Sequence, residues 1–164
     1  MVIFSFFSGV GMLDLGFQEA GFEIVFVNEY EKSFMKAYQY ARKKQKNNIS
    51  FSSYYNGDVN DFIKKPLKYK VKKQIEDLRE KNELIGFIGG PPCPDFSVAG
   101  KNKGKNGENG KLAKSYIDVI KYYQPDFFLF ENVKGLIRTE QHRKYFNELK
   151  EELKSSNYIL SEAL

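Results

Sequence analysis

The chain has 164 residues, with 26 Lys and Arg against 21 Asp and Glu and a formal net charge of +5. That length suits about one domain, able to bury roughly 70% of its unfolded surface without disulfides. A single cysteine excludes an internal bridge, no apolar run approaches a membrane span, and Met1 leads straight into an apolar strand with no basic leader, so a reducing, cytoplasmic setting is expected. The mild basic excess is compatible with nucleic-acid contact without requiring it.

Val2-Ile3-Phe4-Ser5-Phe6-Phe7 is a β-branched and aromatic run and predicts a first parallel strand buried on both faces. Ser8-Gly9-Val10-Gly11 follows, then apolar residues at helical spacing from Met12 to a stop at Gly21. Strand, glycine turn and helix make the first half of a nucleotide-binding βαβ unit, in which glycine admits a ligand close to the backbone and the helix N-terminus offers free N–H groups. A short Gly-x-Gly is weak alone, since many such turns carry glycine for steric reasons. The second strand, Glu23 to Val27, ends at Asn28-Glu29-Tyr30. An acid about 20 positions past the glycine turn is where this architecture holds ribose hydroxyls. Tyr30 suits packing on a flat base; the competing reading is a solvated strand end.

Residues 33–46 predict an amphipathic helix with Phe34, Ala37, Tyr38 and Ala41 inward and a solvated basic tail, Arg42-Lys43-Lys44-Gln45-Lys46. After a polar connection, Gly57-Asp58-Val59 reads as a turn in which Asp58 accepts from an exocyclic amine, with Asn60-Asp61 capping the next segment. Residues 62–83 are lysine-rich and helical in pattern, anchored by Ile75 and Leu78, and read as a mostly exposed helical insertion.

Gly86 to Gly90 is a buried strand leading to Pro91-Pro92-Cys93-Pro94-Asp95-Phe96-Ser97. Prolines on both sides stiffen the backbone of Cys93, the one cysteine, at a strand end where α/β chemistry sits; the competing reading is a small buried hydrophobe. Residues 98–111 hold four Gly, three Asn and four Lys, the composition of a mobile basic lid over a polyanion or of a plain surface loop. A helix over 112–123 and a buried strand, Phe127 to Phe130, lead to Glu131-Asn132-Val133, where desolvation is expected to raise the Glu131 pKa. His142 is expected on an exposed face of a helix over 140–153, and Tyr158 to Leu164 reads as another strand.

Taken together, Phe7-Ser8-Gly9-Val10-Gly11, Asn28-Glu29-Tyr30, Gly57-Asp58-Val59, Gly90-Pro91-Pro92-Cys93 through Phe96-Ser97, and Glu131-Asn132-Val133 resemble the DNA (cytosine-5)-methyltransferase family, in family order across essentially the whole chain. The resemblance implies an α/β, Rossmann-like S-adenosylmethionine-dependent methyltransferase fold, a mostly parallel sheet with helices on both faces. It implies that Phe7, Gly9, Val10 and Gly11 line the cofactor pocket. Glu29 would bind the ribose, Tyr30 pack on the adenine, and Asp58 accept from its amino group, with Val59 and Pro92 alongside. Cys93 would attack C6 of a cytosine flipped from double-stranded DNA, Glu131 engage N3 and the exocyclic amine, and Asn132 position the Pro92-Cys93 turn. No metal is implied.

Ser5, Met12 and Pro94 depart from the family's usual Asp, Gly and Gln. The family also continues into a Gln-x-Arg-x-Arg motif, a target-recognition domain and a final helix. None lies within residues 1–164, so a truncated catalytic domain is expected, completed by further sequence or by a second chain. A restriction-modification role is implied by resemblance to bacterial members. A tRNA cytosine methyltransferase and a catalytically incompetent S-adenosylmethionine-binding fragment are the alternatives. A dinucleotide oxidoreductase fails because the turn lacks the Gly-x-Gly-x-x-Gly spacing.

Overall fold

A computed structural model describes residues 1–45, 53–92, 108–133 and 139–163. The elements run β1 (Val2–Phe6), α1 (Met12–Glu19), β2 (Glu23–Glu29), α2 (Lys32–Lys44), β3 (Tyr54–Asn56), a 3-10 helix (Val59–Ile63), α3 (Leu67–Glu80), β4 (Ile85–Gly89), α4 (Glu108–Tyr123), β5 (Phe127–Phe130) and α5 (Glu140–Lys154). The strands form one sheet in the order β3-β2-β1-β4-β5, and every neighbouring pair is parallel. The chain winds outward from β1 to β3, then returns to β4 on the other side of β1. Ligands of open α/β sheets bind outside the carboxyl ends of the strands at such a reversal. The loops leaving β1 and β4 are the glycine turn and the Pro-Pro turn, so both candidate motifs flank that point.

Side-chain alternation along the strands divides the core. Val2, Phe4 and Phe6 of β1 join Ile85 and Phe87 of β4 under α3, α4 and α5. Ile3 and Ile88 point the other way, with Met35 and Tyr38 of α2 and the flanking Leu13 and Phe17 of α1. Phe6 is the hub of the first face, with ring centroids 5.1 Å from Phe62, 5.0 Å from Phe87 and 5.5 Å from Tyr116. Gly86 is required where the second face is tightest. A Cβ there would lie 2.2 Å from Phe127 Cζ and 2.7 Å from Ile3 Cδ1. Gly86→Ala is therefore expected to cost about 1–3 kcal/mol through overpacking. An unchanged denaturant midpoint would show that Phe127 moves aside freely.

Several elements differ from their sequence expectation. Residues 62–83 are helical and mostly exposed, with Ile75 buried as expected, but they are not an insertion: Phe62 is in the core, and α3 also buries Val71 as the crossover from β3 to β4. Helix α2 is rotated from its hydropathic phase. Phe34 is exposed while Met35, Tyr38 and Arg42 are buried, so Arg42 is not part of a solvated tail. Helix α4 already begins at Glu108, within the stretch read as loop. Strand β5 is only partly buried and lies at the edge of the sheet. Tyr158 to Ala163 form no strand. Tyr158 instead sets its ring edge-on to Phe128 at 4.9 Å and donates to the Pro125 carbonyl at 2.8 Å. His142 is buried, at 4% exposure, on the inward face of α5.

Candidate active site

The glycine turn leaves β1 in a left-handed conformation. Phe7, Gly9 and Gly11 have φ of 53°, 56° and 90°. For Phe7 this is strained backbone, of the kind that persists only where surroundings enforce it. Two contacts do so: Ser8 N–H donates to the Asn28 carbonyl at 3.1 Å, and the Tyr116 ring stands perpendicular to Phe7 at 5.8 Å. The two glycines serve different needs. A Cβ on Gly9 would meet nothing within 4 Å among the described residues, whereas one on Gly11 would lie 2.5 Å from Tyr38 Cε2 and 2.8 Å from Arg42 Nη2. Gly9 thus faces open space among the described residues, and Gly11 is pressed against α2. Val10 is exposed.

Glu29 closes β2 directly beside this turn. Its Oε2 accepts the Gly9 N–H and its Oε1 the Glu31 N–H, both at 2.7 Å. Each oxygen keeps a lone pair for a further donor, and the carboxylate is already fixed before any ligand arrives. Tyr30, next along, is 68% exposed. Asp58 follows β3, where Oδ1 accepts from the Asn60 backbone N–H at 2.8 Å and from Asn60 Nδ2 at 2.9 Å. Asp58, rather than Asn60 or Asp61, therefore caps the 3-10 helix, and its Oδ2 has no hydrogen bond among the described residues. Val59 is 2% exposed and belongs to the core.

Two asparagines that sequence reasoning did not assign hold these carboxylates in register. Asn28 Nδ2 donates to the Gly57 and Tyr55 carbonyls at 2.8 and 3.3 Å. Asn56 Nδ2 donates to the Glu29 and Tyr30 carbonyls at 2.8 and 2.9 Å. The ends of β2 and β3 are thereby sewn together, Glu29 on one and Asp58 on the other. The signal was present in Asn28-Glu29, because a buried amide at a strand end must find partners.

Glu131 lies across the switch point. Its backbone N–H donates to the Gly89 carbonyl at 2.9 Å, extending the β4–β5 ladder. A Cβ on Gly90 would lie 2.6 Å from Glu131 Oε2, so glycine at this position is what lets the carboxylate close on the Pro-Pro turn. Glu131 is exposed, and the desolvating surroundings expected for it are not formed by the described residues. Asn132 Nδ2 reaches the Pro91 carbonyl at 3.5 Å, a long contact that ties the strand end to the turn. Pro91 is buried and Pro92 exposed. Cys93, Phe96, Ser97 and the expected lid lie outside the described residues. A cavity of about 730 Å³ opens along β5, lined by Glu131, Asn132 and the apolar side chains of Phe128, Leu129, Leu153 and Leu160 among others.

Beneath the turn sits a buried polar cluster. Ser5 Oγ and the Tyr38 hydroxyl donate to the two oxygens of Asp14, each at 2.6 Å. Arg42 Nη2 donates to the Gly11 carbonyl at 2.7 Å. Burial pushes the Asp14 carboxyl up from its ordinary range, opposed by the Ser5 and Tyr38 hydrogen bonds and the Arg42 charge. Burial, with Asp14 beside it, also pushes the Tyr38 phenol up, so Tyr38 remains a donor.

The fold is that of an α/β protein of the methyltransferase type, with its candidate site at the carboxyl edge of the parallel sheet. The chain belongs to the C-5 cytosine-specific DNA methylase family, whose model matches residues 1–164. It is 51% identical over 163 residues to the type II methyltransferase M.NmeDI of Neisseria meningitidis serogroup C, covering 99% of this chain and 39% of that relative. It is 39% identical over 137 residues to the type II methyltransferase M.FnuDI of Fusobacterium nucleatum, covering 84% of this chain and 33% of that one. Among solved structures it is similar, with a TM-score of 0.64 and 25% identity, to a prophage-encoded protein of E. coli described as a DNA modification methyltransferase, covering 94% of this chain and 38% of that one. The chain thus spans well under half the length of these relatives. Among the described residues no helix is long and apolar enough to cross a membrane, and no group of three His, Cys, Asp or Glu side chains could hold a metal ion.

Proposed function

We propose that this chain supplies the cofactor-binding and catalytic residues of a type II restriction-modification methyltransferase that methylates C5 of cytosine in double-stranded DNA. The observation that carries the reading is the gathering of Glu29, Asp58 and Glu131 at the carboxyl ends of β2, β3 and β5, around the two loops of the switch point. The donor set suits S-adenosylmethionine. Glu29 retains acceptor capacity for a vicinal diol, Asp58 Oδ2 is open to an exocyclic amine, Gly9 faces free space, and Ser8 Oγ is buried without a partner among the described residues. When bound, S-adenosylmethionine supplies an electrophilic methyl group on a sulfonium.

The chain's own residues prepare the base to take it. C5 of cytosine is a weak nucleophile and C6 is out of reach inside a duplex, so the base is flipped out. The Cys93 thiolate adds to C6, and the displaced electron pair moves onto the ring, where Glu131 hydrogen-bonds N3 and the exocyclic amine. C5 would then take the methyl group, with the electron pair of the broken S–C bond staying on sulfur as a neutral thioether. Loss of the C5 proton to solvent and expulsion of the thiolate restore the aromatic base. Asn132 holds the Pro92-Cys93 turn through Pro91.

Calorimetric titration with S-adenosylmethionine tests the cofactor half. The chain should bind, and Glu29→Ala should weaken binding by about 1–3 kcal/mol, the scale for stranding hydrogen-bonded partners. Unchanged affinity in that variant would move the cofactor elsewhere.

A further inference from the structure

We propose that Arg42 is a positioning residue for the glycine loop, clamping it from α2 by its bond to the Gly11 carbonyl and by its contact with Tyr38, which in turn holds Asp14. The inference rests on the reading of that loop as the cofactor loop and adds a residue outside every motif so far described.

Arg42 is 3% exposed, Tyr38 and Asp14 are each 0% exposed, and Ser5 is 1% exposed. A buried guanidinium must find compensation or it costs several kcal/mol, on the order expected for an uncompensated buried ion. Among the described residues three contacts compensate it, while Nε is buried with no hydrogen bond. Nη2 donates to the Gly11 carbonyl at 2.7 Å, Nη1 donates to Gln45 Oε1 at 3.0 Å, and the guanidinium carbon sits 4.7 Å from the centroid of the Tyr38 ring. Tyr38 then donates to Asp14 in the first turn of α1, and Ser5 at the end of β1 donates to the other Asp14 oxygen. The cluster therefore grips both sides of the loop: the strand before it, the helix after it, and Gly11 itself.

The arrangement is specific to the loop rather than generic packing. The Gly11 carbonyl accepts both the Arg42 bond and the Leu15 N–H that starts α1. A cation at a helix N-terminus opposes the macrodipole, and Asp14 in that first turn supplies the opposite charge. Gly11, at φ 90°, has no room for a Cβ because Tyr38 and Arg42 occupy it. Fixing Gly11 also fixes Gly9, two residues back, whose N–H must meet Glu29.

The test compares wild type with Tyr38→Phe, Arg42→Gln and Arg42→Lys, and with Val71→Ala, a buried position on the opposite face of the sheet, as a stability control. Readouts are Tm, calorimetric affinity for S-adenosylmethionine, and amide hydrogen exchange across residues 9–15. Tyr38→Phe and Arg42→Gln should each weaken binding about tenfold, the size of one charge-assisted hydrogen bond. Both should speed exchange in residues 9–15. Arg42→Lys, which keeps the charge and one donor, should recover part of the loss. Val71→Ala should lower Tm yet leave affinity and loop exchange as in wild type. Wild-type affinity and exchange in Arg42→Gln, or an equal loss in Val71→Ala, would overturn the proposal. Failure of wild type to bind S-adenosylmethionine would contradict the cofactor reading instead, and the exchange comparison would still decide the role of Arg42.

Discussion

Cys93→Ser is expected to abolish methyl transfer, lowering kcat by at least about 10³-fold, the scale on which covalent catalysis fails without its nucleophile. The reason is the attacking atom. A free thiol ionises near pH 8.5 and its thiolate is intrinsically strong, whereas a serine hydroxyl stays protonated without a dedicated base. In the proposed mechanism, addition to C6 is the step that makes C5 reactive, so no later group compensates for its loss. S-adenosylmethionine affinity should stay within about twofold of wild type, because the proposed cofactor residues are Glu29, Asp58 and Gly9, and truncating a residue outside that set costs well under one hydrogen bond. Parallel measurement of single-turnover methylation and calorimetric binding checks both halves. Loss of binding together with activity would mean that Cys93 supports the fold or the pocket rather than the chemistry.

Gly90→Ala is expected to separate activity from stability in the opposite way from a core change. The new Cβ would sit 2.6 Å from Glu131 Oε2, and the atom that must yield is the tip of a flexible, exposed side chain. The fold should therefore barely register the change, with stability within about 0.5 kcal/mol of wild type. Glu131, however, would be swung off the Pro-Pro turn. A displacement of that kind, roughly 1 Å at a catalytic group, costs about 10²-fold in rate. Transfer measured under saturating cofactor, beside a denaturant titration, gives both numbers. Wild-type kcat would show that Glu131 need not lie against Gly90. A large fall in stability would show that the strand end has no freedom to adjust.

Much of the site was legible because its residues obey backbone rules. A buried parallel strand must be apolar along its length, and a tight turn at its end must use glycine or proline, so β1 and β4 and the loops they feed are visible as strings of residues. Glu29 was readable as a carboxylate at the tip of the second strand, whereas its hold on the Gly9 and Glu31 N–H groups was not. The position of α2 was not readable in the same way. Hydropathy turns Phe34, Ala37, Tyr38 and Ala41 inward; of these the helix buries Tyr38, together with Met35 and Arg42. Burial of Arg42 is stable only because the Gly11 carbonyl and the Tyr38 ring wait for it, and those are tertiary partners that no local window contains. Ser5 and Asp14 obey the same logic, each ordinary until the other is seen 2.6 Å away.

Charge density misled the reading of residues 62–83 for a related reason. Val71 and Ile75 suffice to dock α3, and the lysines occupy the solvated face that remains. At β5, an apolar run suggested a buried strand, but the strand is the edge of the sheet among the described residues, with Leu129 exposed. Periodicity reports which residues are apolar and does not report what stands next to them.

The proposed mechanism turns on a covalent bond from Cys93 to C6 of cytosine during methyl transfer. Duplex DNA carrying 5-fluorocytosine tests it most directly, since fluorine at C5 cannot leave as a proton and the adduct cannot resolve. Incubation with S-adenosylmethionine, then peptide mass spectrometry, should find methylated 5-fluorocytosine attached to the peptide that contains Cys93. Turnover of ordinary cytosine DNA by the same preparation, with Cys93 left unmodified on the fluorinated substrate, would contradict that mechanism.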